Sequence, residues 1–72
     1  MSEIEEIKKI KRWRRSLGVS QVLLSKMSGV SRYRLSLAEM GIEKLRLEEI
    51  EKISETLEGI EVEYEQEGGT NE

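Results

Sequence analysis

The chain contains no Cys, no His and no Asp, and each absence closes off chemistry. Without Cys there is no disulfide and no thiol nucleophile, and without Cys and His the usual zinc-binding spacings cannot be built. Acid–base or nucleophilic catalysis would have to rest on Glu, Lys, Ser or Tyr alone, without the side chain that titrates near neutrality. The sequence therefore reads as a non-enzyme with no metal and no cofactor. No apolar run exceeds three residues, too short for a membrane span or the apolar region of a signal peptide. A cytoplasmic location with no membrane partner is expected. Seventy-two residues suffice for one small domain, near the lower size at which a core holds without disulfides or metal.

What is abundant is charge, and it is divided. From Ile7 to Ala38 there are nine Lys or Arg and no acid, while from Glu39 to Glu72 there are twelve Glu against three bases. Short charge runs are usually solvated helix faces. Thirty-two residues without an acid, in a chain with fifteen Glu among seventy-two, are not accounted for that way. The division predicts one face for a polyanion and another that is solvated or repels it.

The apolar spacing predicts four helices. Ile7, Ile10, Trp13 and Leu17 form one stripe of a helix over about 3–16, closed by Gly18. Arg14 falls inside that stripe, between Ile7 and Ile10 in angle, and a buried guanidinium needs a partner. Ser20 is a predicted N-cap for a second helix over about 21–28, with Leu23, Leu24 and Met27 inward and Gly29 after its end. Val30 plugs the turn. Ser31 caps a third helix over about 32–40, with Leu35 and Ala38 inward, Glu39 at the edge of that side, and Arg32, Tyr33, Ser36 and Leu37 outward. After a loop over 42–46, a fourth helix over about 47–58 presents Leu47, Ile50, Ile53 and Leu57 and is stopped by Gly59. From Ile60 to Glu65 the period changes to two, with Ile60, Val62 and Tyr64 alternating with Glu, which predicts a half-buried strand. Residues 67–72 are expected to be disordered.

Two short helices joined by a Gly-containing turn, the second opening with Ser and outward Arg, describe a helix-turn-helix. "SQVLLSKMSGVSRYRLSLAEMG", followed by "LEEIEKISETL", resembles the DNA-binding domain of lambda repressor and Cro-type proteins over roughly residues 7–59, without gaps. The shared marks are Ser-Gln opening the second helix, Gly-Val-Ser in the turn, an aliphatic in mid-helix 3, Glu-x-Gly, and a Leu-rich fourth helix. The chain departs from the family pattern at Ser28, usually a large aliphatic, at Met40, and in the outward apolar Val22. The usual fifth helix is replaced by the strand-like segment.

The resemblance implies an all-α, four-helix domain over residues 1–59; the alternating pattern adds a short C-terminal strand over 60–66 that could dimerise, then the 67–72 tail. It implies base contacts in the major groove from Arg32, Tyr33, Ser36 and Leu37, with Arg32 suited to guanine and Leu37 to a thymine methyl. It implies phosphate contacts from Gln21, Ser31, Arg34, Lys44 and Arg46, and it supports Glu39 as the inward partner of Arg14. The expected partner is double-stranded DNA, bound by a homodimer paired through Ile60, Val62 and Tyr64, as a transcriptional regulator and repressor. The alternative expectation is a protein-interaction module, an antitoxin or adaptor holding a toxin-like partner through Val22, Tyr33 and Leu37.

Overall fold

A computed structural model describes residues 3–70 of the chain, and side chains from residue 5 to residue 64. It is all-helical, with α1 at Glu3–Ser16, α2 at Gln21–Ser28, α3 at Arg32–Glu39 and α4 at Leu47–Thr70. α2 packs on α3 and α4, and α1 packs on α3 and α4, so all four helices enclose one core. That core is built from Ile7, Ile10, Val19, Leu24, Val30, Leu35, Ala38, Leu45, Ile50, Ile53 and Leu57, with Trp13, Leu17 and Ile60 at its margin.

The helix ends show why these short segments hold. α1 closes with Gly18 at φ +71°, its N–H donating to the Arg15 carbonyl at 3.1 Å while Val19 N–H donates to Arg14 at 3.0 Å. This paired arrangement satisfies the last carbonyls and turns the residue after the glycine inward, and Val19 is buried. α3 ends in the same way: Gly41 N–H donates to Ala38 at 3.0 Å and Ile42 N–H to Leu37 at 2.9 Å.

Three residues expected in the core lie outside it: Leu23 is 45% exposed, Met27 54% and Leu47 73%. On α2 the inward face is Gln21, Leu24, Ser25 and Ser28, spaced i, i+3, i+4, i+7, so the polar residues of this helix point in and its apolar neighbours point out. Two of those polar side chains are engaged: Gln21 donates to Glu39, and the Ser28 hydroxyl accepts Val30 N–H at 3.2 Å. Ser28 thus ties the turn into α3. At the start of α4, Leu45 is buried in place of Leu47. With Arg46 as the residue before the helix, Leu45 and Ile50 occupy the two positions of a hydrophobic staple, and both belong to the core.

The expected C-terminal strand is not formed; among the described residues there is no strand, and α4 runs through Gly59 and the 60–66 segment to Thr70. Residues 67–70, expected to be disordered, continue the helix, and Asn71 and Glu72 lie outside the described residues. Ile60 continues the stripe of Ile53 and Leu57 at helical spacing and is half-buried against the core. One turn of packing there, with the Trp13 indole N–H donating to Glu61 at 3.0 Å, ties the extension to α1. A glycine inside a helix costs only about 1 kcal/mol relative to Ala, and extending an existing helix avoids the cost of nucleation. In this form Val62 is set about 200° from Ile60 and Tyr64, which, four residues apart, stay on one face.

Candidate nucleic-acid interface

The α2-turn-α3 unit is fixed at both ends by serine caps. Ser20 Oγ accepts Leu23 N–H at 3.0 Å and Ser31 Oγ accepts Arg34 N–H at 3.1 Å. Between them Gly29 takes φ +80° and donates its N–H to Ser25 at 2.9 Å. A side chain at Gly29 would meet no neighbour; its backbone angle alone favours glycine. With Val30, Leu24, Leu35 and Ala38 buried beneath, α3 is held rigidly and turns its other side to solvent.

That side carries the residues expected at base edges. Arg32 is exposed and Tyr33 is 74% exposed, while Ser36 and Leu37 are partly exposed one turn later. Ser31 is exposed but its hydroxyl is used as the cap. Lys44 and Arg46, in the connection between α3 and α4, are exposed on the chain that follows α3.

Gln21 and Arg34, also expected at phosphates, have side chains engaged within the protein. The Gln21 amide donates to Glu39 Oε1 at 2.9 Å. Arg34 donates through Nε and Nη2 to both oxygens of Glu49, at 2.7 and 2.8 Å. Its place on α3 predicts a group free for DNA; the carboxylate that meets it, 15 residues on in α4, is not foreseeable from spacing. This pairing occupies the Arg34 guanidinium within the protein. It also holds the Glu49 carboxyl well below its ordinary range, at about 2, chiefly through the Arg34 hydrogen bond, against burial and with help from Arg46 N–H.

Beneath the unit lies the pair of Arg14 and Glu39. Arg14 Nε donates to Oε2 and Nη2 to Oε1, both at 2.8 Å, and Nη1 donates to the Val19 carbonyl at 2.8 Å. Glu39 therefore receives α1 through Arg14 and α2 through Gln21, while itself ending α3. Burial pushes its carboxyl up, but the hydrogen bonds of Arg14 and Gln21 and the charges of Arg14 and Lys11 outweigh this and hold it below the usual carboxylate range. Among the described residues no buried side-chain polar atom lacks a partner. None of them gather into a His, Cys, Asp or Glu cluster suited to a metal, and no helix among them is long and apolar enough to cross a membrane.

A family model described as helix-turn-helix, of lambda repressor and Cro type, matches residues 10–64. The chain belongs to this helix-turn-helix family. The family is one of DNA-binding, non-enzymatic domains, and the matched span reaches past Gly59, as the unbroken α4 does. No curated protein and no solved structure matches the chain.

Proposed function

We propose that this protein is a sequence-specific, double-stranded-DNA-binding transcriptional regulator, a repressor, that reads the major groove with α3 as a homodimer. The observation that carries the reading is the exposed side of α3: Arg32 and Tyr33 in its first turn, with Ser36 and Leu37 a turn later, presented by a helix whose opposite side is locked into the core. Arg32 supplies a bidentate donor for guanine, and Leu37 an apolar contact for a thymine methyl. Ser31, Lys44 and Arg46 flank them as phosphate contacts, with the exposed Lys8, Lys9, Arg12 and Arg15 of α1 supplying positive potential. Gln21 contributes through its helix start, its amide being held by Glu39. Nine of the fifteen Glu lie on α4.

Dimerisation is proposed through the end of α4 rather than through a strand. Tyr64, 63% exposed, continues the Ile53, Leu57 and Ile60 stripe one turn beyond the point at which Ile60 and Glu61 tie the helix to the rest of the bundle, and is the apolar residue offered to a second copy.

Binding to a random duplex pool, followed by selection and sequencing of the bound fraction, tests the reading. Affinity should fall by roughly a thousandfold or more between about 50 and 200 mM salt, as expected when about six or more phosphates are contacted. A second reading, a module that holds a protein partner, draws on the exposed apolar Val22, Leu23 and Met27 of α2 and on exposed Tyr33 of α3. Absence of duplex binding at low salt would leave that reading standing and remove the first.

A further inference from the structure

Arg34 follows Tyr33 in the first turn of α3, yet its guanidinium turns toward α4. Its fork to the Glu49 carboxylate is bidentate, the geometry that fixes orientation as well as distance. The same Nη2 reaches the Lys44 carbonyl at 3.3 Å, and Nη1 lies 3.6 Å from a Glu43 carboxylate oxygen. Glu49 Oε1 also accepts Arg46 N–H at 2.8 Å, the reach-back of a helix capping residue. One carboxylate thus joins three segments: the start of α3, the connection over 40–46, and the first turn of α4. The first half of that connection is tied to α3 through Ile42 N–H and Glu43 N–H, which both donate to the Leu37 carbonyl, at 2.9 and 3.4 Å. Its second half, which carries Lys44 and Arg46, is tied by buried Leu45 and by this fork.

Charge alone argues the opposite way. Glu49 places a negative charge beside groups assigned to phosphate, so its loss should strengthen attraction to a polyanion. A bidentate fork at this junction makes sense if geometry outweighs that cost. We infer that Arg34 and Glu49 are positioning residues, which fix Lys44 and Arg46 relative to Arg32 and Tyr33 so that phosphate and base contacts are made in one register. The inference rests on the DNA-binding reading above.

The test uses the full chain with Glu49→Ala, Arg34→Lys and, as a control for lost charge on the same helix, Glu55→Gln. Duplex affinity is measured against salt below each variant's melting range, and amide hydrogen exchange at Arg46 is followed in the free protein. Glu49→Ala should bind more weakly, with the slope of log K on log salt reduced by about 0.9 for each phosphate the variant no longer neutralises, and with faster exchange at Arg46. Arg34→Lys keeps the charge without the fork and should follow Glu49→Ala. Glu55→Gln should keep the wild-type slope. If Glu49→Ala does not fold, Glu49→Gln, which retains one acceptor for Arg46 N–H, should show a smaller change in the same direction. Tighter binding with a steeper slope would mean that the carboxylate only competes with phosphate; unchanged slope and affinity with lower melting would mean a clamp for stability alone. Either result overturns the inference while the wild type still binds. A wild type that binds no duplex at low salt overturns the DNA reading itself.

Discussion

At Arg14 and Glu39 a guanidinium and a carboxylate are both taken out of water, at 11% and 3% side-chain exposure. Desolvation of such a pair is met only by good geometry and full hydrogen bonding, and removing one partner strands the other. Arg14→Met and Glu39→Gln should therefore each lower unfolding free energy by about 3–5 kcal/mol, measured by urea titration, with the double variant recovering part of the loss. Strictly additive losses would show that the two do not interact. The same carboxyl, with Glu49, sets the acid response. Both lie below the ordinary Glu value of 4.5 in the folded chain, so the unfolded chain takes up protons first as pH falls. Their contribution is present above about pH 4.5 and is lost below it, for Glu49 on the way down to about pH 2. The urea midpoint should drop across that window, and Glu39→Gln and Glu49→Gln should each flatten the drop. A midpoint indifferent to pH between about 5 and 3 would contradict the assignment.

Among the elements, α3 separates two kinds of contact. Arg32→Ala should relax sequence preference by about 1–3 kcal/mol at one base pair, whereas Lys44→Ala should weaken all duplexes alike; competition with selected and scrambled duplexes distinguishes them. α4 offers a test that involves no DNA. Gly59 lies in the helix interior, and a Cβ there meets nothing within 4 Å, so Gly59→Ala should stabilise the protein by about 0.5–1 kcal/mol. Loss of stability would place Gly59 at a helix end instead. The helix-turn-helix itself was legible in the sequence because serine caps, glycine stops and the 3.6-residue stripe all agree there. Arg14 was legible because a charge inside an apolar stripe demands a partner. Local pattern failed where a long-range contact decided the outcome. Ile60, Val62 and Tyr64 alternating with Glu read as a strand, but Leu57, Ile60 and the Trp13–Glu61 hydrogen bond extend a helix already formed. Likewise nothing in the spacing distinguishes Leu45 from Leu47, or an Arg34 that faces DNA from one that faces Glu49.

For the whole molecule, the charge division and the size of α3 together argue for two copies on one duplex. An eight-residue helix presents only a few side chains to base edges, and each mismatched pair costs about 1–3 kcal/mol. One copy thus discriminates weakly against the competing sites of a genome. A two-fold pair doubles the readout from one surface, and its contact must be self-complementary. The end of α4 meets the geometric need, since it leaves the core beyond Glu61 and carries Tyr64, in line with Ile60, into solvent. Its acids oppose close approach, so the contact should be weak in free protein and strengthened by DNA, whose binding holds two copies side by side. The selected sequences should then form an inverted repeat with half-site centres about 10–10.5 base pairs apart, or a multiple of that, placing the two recognition helices on one face of the duplex. Sedimentation with the selected duplex should give two chains per duplex. Truncation after Glu61 keeps Ile60 and the Trp13 hydrogen bond, so the shortened chain should fold and still bind a half-site, but its binding to the full repeat should lose cooperativity. A selected site with no repeat, bound by one chain, would leave α3 as the reader and remove the dimer. Cooperativity that survives the truncation would place the contact elsewhere on the bundle.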